Sequence, residues 1–178
     1  MDLREKKTKR SIKNAFMQLR AQKPLERISV KALAELAEIS KATFYLHYRD
    51  IYDLSDQLQK EVIQNVLSSI QQPEVLLSDI PKFTEILFHA FENNQAQIEI
   101  LFSGSQSAIL PLSIEQELKE YIFQFVPQAR NNVQYNIMLS YQILGGFYVY
   151  QSYYKKYGID YIMNVLNDVC RITYPKTE

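Results

Sequence analysis

Lys41, Thr43, Tyr45 and His47 gather a cation, a hydroxyl, a phenol and an imidazole in one short stretch. No nucleophile–base arrangement and no Gly-rich phosphate loop accompanies them, so they point to recognition rather than catalysis. A short exposed helix bearing these groups has the right size for the major groove of DNA. Two elements must position them. Ser29 can cap a first helix through its hydroxyl, and Leu33, Leu36 and Ala37 then share one face of it. Glu38, Ile39 and Ser40 make a turn, with Ile39 as an apolar plug. Ser40 can cap a second helix from Lys41 to about Tyr48, in which Phe44 and Tyr48 sit four apart and face inward. Ala42, Thr43, Tyr45 and Leu46 are left on its outer face.

The stretch resembles the N-terminal domain of the TetR family of bacterial transcription regulators. The residues that carry the resemblance are Ile28-Ser29-Val30, Leu33-Ala34, Ala37, Ile39-Ser40-Lys41-Ala42-Thr43-Phe44-Tyr45, His47-Tyr48 and Asp53-Leu54. It covers residues 8–56. The resemblance implies that Thr43 and Tyr45 approach base edges, with Ala42 small enough to meet a thymine methyl. It also implies that Lys41, His47 and the Ser29 hydroxyl reach phosphates, which fixes register rather than sequence. Lys31, Ser40, Leu46 and Arg49 complete the expected DNA-facing set. Two residues depart from the family pattern. Glu38 stands at a turn position where the family has Gly, and Ile51 stands where it has a phosphate-contacting Lys, which leaves Arg49 as the near substitute.

The 178 residues carry 20 Lys+Arg and 20 Asp+Glu, but the balance is uneven along the chain. Residues 1–49 hold twelve Lys+Arg against five Asp+Glu, a surplus of +7, and the remainder is correspondingly −7. A basic head on an acidic body suits a partner that carries phosphates and touches only the head. A solvated basic arm is the plainer reading, and the motif inside the basic half favours the first. Cys170 is the only cysteine, which excludes an intrachain disulfide and leaves a small apolar residue on the last helix. With no apolar run of membrane length and no signal-peptide core, the expectation is a cytoplasmic protein with no membrane partner. Four glycines, six prolines and long amphipathic stretches predict an all-α fold.

The expected domains are residues 1–50, a helix-turn-helix head, and residues 51–178, a helical dimerisation and effector-binding body. Residues 1–7 read as frayed. Ile12, Ala15, Phe16 and Leu19 form the stripe of a helix over Thr8 to Ala21, with Lys9, Arg10 and Lys13 on its other side. Asp50 can cap a long helix over residues 51–70. Further helices are expected at 81–93, 95–102, 114–126, 132–157 with Gly158 as C-cap, and 160–172. The body resembles, more loosely, that of regulators related to the dihydroxyacetone kinase regulators. That rests on Asn93-Asn94 before Ile98 to Gly104, and on Leu144-Gly145-Gly146-Phe147 with Gly158; the Trp common near Gln151 and Ser152 is absent.

A single short helix sees few bases, so a homodimer is expected. Gly145-Gly146 falls mid-helix, where Gly costs about 1 kcal/mol against Ala, and close approach of another helix would offset that. Tyr148, Ile162, Val165, Leu166 and Val169 complete the expected interface, against the plainer reading of an intrachain core. Phe88, Phe91, Phe102, Tyr121, Phe125 and Tyr141 are candidates to line a small-molecule effector pocket, against ordinary packing. His47, His89 and Cys170 lack ligand spacing, so no metal and no cofactor is expected, and an enzyme is the least expected class. The expectation is a dimeric repressor of a palindromic double-stranded DNA operator. The alternatives are control by a partner protein instead of a ligand, or a helical adaptor that no longer binds DNA.

Overall fold

A computed structural model of the chain describes residues 3–173, with side chains described for 3–169. Cys170 lies outside the described side chains. All regular structure among the described residues is helical, as the low Gly content and the apolar periodicity predict. The chain divides into two compact units, Met1–Val62 with Gln95–Leu110, and Ile63–Asn94 with Pro111–Glu178. The expected break after residue 50 followed the motif; this division follows the packing.

The first unit begins with α1, Leu3–Arg20. The helix starts five residues before the expected Thr8. Its charged first turns hold themselves together: Lys9 Nζ meets Glu5 Oε1 at 3.0 Å in an i,i+4 pair, and Thr8 Oγ1 donates to the Arg4 carbonyl at 3.0 Å. Ile12, Ala15 and Phe16 are buried and Leu19 is half-buried. Leu25, in a 3-10 turn over Leu25–Arg27, and Ile28 also enter the core. α2 (Val30–Leu36) and α3 (Lys41–Tyr45) follow, then α4 (Ile51–Ser68). The Asp53 N–H donates to Asp50 Oδ1 at 2.8 Å, which gives α4 the expected cap. Leu33, Phe44 and Leu54 are fully enclosed, and burial of each such side chain stabilises by about 1.5–3 kcal/mol. Leu36 is a correction: placed inward by the periodicity, it is 41% exposed on α2. Only two turns of α2 exist, and Leu33, Ala34 and Ala37 already fill the inward side.

α7 (Gln95–Leu101), with the 3-10 turn Gly104–Gln106, packs into this same unit although it begins 27 residues after α4 ends at Ser68. Three polar ties fix it. The Arg20 guanidinium, only 3% exposed, donates to Ser103 Oγ at 2.7 Å, to the Ser103 carbonyl at 3.2 Å and to the Leu101 carbonyl at 3.5 Å. The buried Gln59 amide donates to the Leu101 carbonyl at 3.0 Å and to Gln106 Oε1 at 3.2 Å. Ser105 Oγ donates to Glu26 Oε1.

The second unit holds the end of α4, then α5 (Val75–Ser78), α6 (Ile80–Glu92), most of α8 (Leu110–Phe125), α9 (Val133–Tyr157) and α10 (Ile159–Thr173). Asp79 caps α6 by accepting from the Lys82 N–H at 3.0 Å, with Pro81 in the first turn. Asn132 caps α9 through the Tyr135 N–H at 3.0 Å. Gly158, at φ 77°, ends α9 in a conformation that L side chains disfavour. Phe83, Ile114, Leu118, Ile122, Phe123, Leu139, Ile162 and Met163 form the core. α9 is apolar on two sides. Leu139 faces the core, while Val133, Ile137, Tyr141 and Tyr148 form an exposed row on the opposite side. Tyr161, Val165 and Val169 form a second exposed row on α10.

Candidate nucleic-acid interface

The turn between α2 and α3 is built by backbone hydrogen bonds. The Ile39 N–H donates to the Ala34 carbonyl at 3.0 Å and the Glu38 N–H to the Glu35 carbonyl at 3.3 Å. Together they are a Schellman motif, which requires a left-handed residue just past the helix end. That residue is Glu38, at φ 55°, the one non-glycine with positive φ among the described residues. Its position is the one at which the sequence departs from the family's Gly. Ile39 is drawn back toward the end of α2 by the same bonds and is half-buried there.

Both serines cap. Ser29 Oγ accepts from the Ala32 N–H at 3.2 Å and Ser40 Oγ from the Thr43 N–H at 3.0 Å. Ser40 Oγ also shares a 2.8 Å hydrogen bond with Thr43 Oγ1, which orients the threonine side chain on the first turn of α3. Beneath α3, Phe44 is fully buried and Tyr48 nearly so, their rings 5.7 Å apart. These anchors leave Lys41, Ala42, Tyr45 and Leu46 exposed, with Tyr45 57% and Leu46 81% accessible. Thr43 and His47 are half-buried, and Ser29, Lys31, Ser40 and Arg49 are exposed. α3 ends at Tyr45, earlier than the expected Tyr48, so Leu46 and His47 sit in the turn that follows it.

Arg49 is constrained on its backbone and open on its side chain. Its N–H donates to Asp53 Oδ2 at 2.9 Å, and its guanidinium lies 3.3 Å from Asp53 Oδ1 with 86% of the side chain exposed. The backbone hydrogen bond from Arg49 is the main reason the Asp53 carboxyl is held below its ordinary range, with Gln57 and the Arg49 guanidinium adding to it. Ile51, in the place of the family's Lys, is buried and offers no charge.

The aromatic set proposed to line a pocket is not brought together. Phe102 is buried in the first unit, and Phe88, Phe91, Tyr121 and Phe125 are half-buried in the second. Tyr141 is 73% exposed. The rings pair with one another instead: Phe83 with Tyr121 at 6.4 Å, Tyr121 with Phe125 at 5.3 Å, Phe88 with Tyr150 at 5.2 Å. None of the six lines the depression of about 430 Å³ bounded by Lys119, Arg130, Asn136 and Ser140. None lines a second, of about 350 Å³, bounded by Arg10, Lys13, Tyr48 and Glu61.

The interface candidates divide. Ile162, 2% exposed, belongs to the core of the second unit and is removed from an outward face. Val165, Val169 and Tyr148 are exposed; Leu166, Gly145 and Gly146 are half-buried. A Cβ added at Gly146 would meet Phe88 Cζ at 4.0 Å, ordinary contact, while one at Gly145 would meet nothing within 4 Å. The packing reason expected for Gly145 is therefore not found within the chain.

Sequence reading missed two features. It left Lys6 and Lys7 in a frayed tail, whereas both are exposed on α1, and it assigned nothing to Arg20. The Glu5–Lys9 spacing was a usable signal for the first, and nothing local signals the second. Among the described residues no helix is long and apolar enough to cross a membrane, and no three His, Cys, Asp or Glu side chains are grouped to hold a metal. No protein-family model, curated protein or solved structure matches the chain.

Proposed function

We propose that the chain is a DNA-binding transcription regulator similar to the TetR family, acting as a homodimer on a near-palindromic operator and most simply as a ligand-responsive repressor. The observation that carries this reading is the outward set Lys41, Ala42, Tyr45 and Leu46, anchored from below by Phe44 and Tyr48, with Ser40 capping the first turn of α3 and Ser29 that of α2. The +7 surplus of residues 1–49 supports it, because phosphates are what such a surface attracts. Tyr45 and Leu46 meet base edges in this reading, and Lys41, His47 and Arg49 meet phosphates.

The second copy packs on the exposed rows of α9 and α10. A helix apolar on two sides is stable in water only when both are covered, and α9 has one side bare. Gly145, with open space around it, lets another helix approach. An effector acts only through unequal affinity for two arrangements of the heads, and α4, shared between the two units, is the element that relays it.

The mutual pairing of the aromatic rings favours a second reading of control, a partner protein docking on the body. Selection of bound duplexes from random DNA, repeated with a metabolite panel, tests both. Enrichment of a palindrome supports the regulator, and its loss with one metabolite supports the ligand. Failure to enrich any duplex at low ionic strength would leave the adaptor reading.

A further inference from the structure

We propose that α1 supplies a second row of phosphate contacts, with Lys6, Lys7 and Arg10 binding the backbone of double-stranded DNA beside the groove entered by α3. The inference rests on the DNA-binding reading and adds a contact from a helix which that reading treats only as support.

Three observations carry it. First, Lys6, Lys7 and Arg10 are all exposed within one turn on the outer side of a helix that begins at Leu3. A helical row presents its charges at fixed spacing, which a frayed tail does not. Second, the neighbouring cations are already committed: Lys9 to Glu5 at 3.0 Å, and Lys13 to Glu61 at 2.6 Å. These pairs neutralise the nearby carboxylates, so they do not cancel the row. Third, the row adjoins the proposed interface at two places. Arg10 lines a depression with Tyr48, whose chain neighbours are His47 and Arg49. At the other end, Glu5 is held below its ordinary range chiefly by the hydrogen bond from Lys9, with a smaller contribution from the nearby His47 ring. Arg10 thus stands across a depression from Tyr48, the residue that anchors α3 from below. DNA is the occupant the charge selects, because three exposed cations on one helix, with the neighbouring carboxylates already paired, complement a polyphosphate.

The test uses the full chain and a duplex enriched from random DNA, with affinity measured by anisotropy from about 50 to 200 mM KCl. Each phosphate neutralised contributes about −0.9 to the slope of log K against log salt, so the Lys6→Gln, Lys7→Gln, Arg10→Gln triple variant should flatten the slope by about 2–3. Its preference for the enriched duplex over a scrambled one should stay within about twofold, because phosphate contacts carry no sequence. A Lys155→Gln, Lys156→Gln variant on α9 should leave the slope unchanged. An unchanged slope in the folded triple variant, with wild-type binding intact, overturns the inference alone. So does a lost sequence preference, which would make these residues base readers. A wild-type chain that binds no duplex overturns the DNA-binding reading itself.

Discussion

The Arg20 guanidinium and the Ser103 hydroxyl meet at 2.7 Å across eighty-three residues of sequence, inside a region where Arg20 is all but sealed from water. A buried cation is tolerated only when it is hydrogen-bonded, and here three carbonyls and one hydroxyl accept from it. Arg20→Ala strands those acceptors and should destabilise the protein by about 2–3 kcal/mol. Ser103→Ala removes one bond and should cost about 1 kcal/mol. Urea midpoints at constant m-value check both, and equal costs would show that the hydroxyl, not the cation, holds α7.

Glu38 stores backbone strain. An L residue in the left-handed region costs about 1–2 kcal/mol, of which Gly returns part through its looser unfolded chain. Glu38→Gly should therefore stabilise by about 0.5–1 kcal/mol and leave DNA affinity unchanged. Glu38→Val should destabilise, since a β-branched side chain fits there worst. A Gly variant that melts lower than wild type would mean that the Glu side chain itself contributes more than its backbone costs.

Tyr45→Ala should weaken operator binding with no loss of thermal stability, because the ring is exposed. Ser40→Ala should weaken binding and also lower thermal stability, since the cap it removes contributes about 1 kcal/mol. Parallel melting curves and anisotropy titrations separate the two effects.

Glu115 gives a pH dependence of known sign. Hydrogen bonds from Lys119 at 2.8 Å and Ser140 at 2.6 Å hold its carboxyl below the ordinary 4.5. A folded-state value below the unfolded one means stability that is fully present above about pH 4.5 and is lost as acid protonates the folded form. Glu115→Gln should therefore be less stable at pH 7 and lose less stability between pH 5 and pH 3. Parallel acid-unfolding curves for variant and wild type would show that the shift contributes nothing.

Ile137→Glu with Tyr148→Glu should convert the proposed dimer to a monomer at micromolar concentration in sedimentation, with the chain still folded, because both side chains are exposed on α9. A stable wild-type monomer would remove the interface altogether.

Local chemistry was legible in the sequence and distant chemistry was not. Ser29, Ser40 and Asp50 cap because a hydroxyl or carboxylate before an apolar run satisfies an N–H group three residues on. Phe44 and Tyr48 are buried as their spacing required. Leu36 failed because a two-turn helix has less inward surface than its apolar residues could fill. Ile162 and Val165 are three apart on α10, yet one is in the core and the other is exposed; periodicity identifies a stripe and does not say which neighbour covers it. The aromatic rings could have lined a cavity or stacked, and only coordinates distinguish the two. Arg20 was illegible because, apart from the Lys23 carbonyl, its partners lie some eighty residues away.

The return of α7 to the first unit makes that unit discontinuous along the gene. A fragment ending at Val62 would keep Arg20 and Gln59 but lose Ser103, Leu101 and Gln106, the groups they bond. The head is thus no detachable cassette. Recombination that transplants residues 1–62 onto a foreign body should yield insoluble chimeras, unless the recipient brings its own equivalent of the clasp.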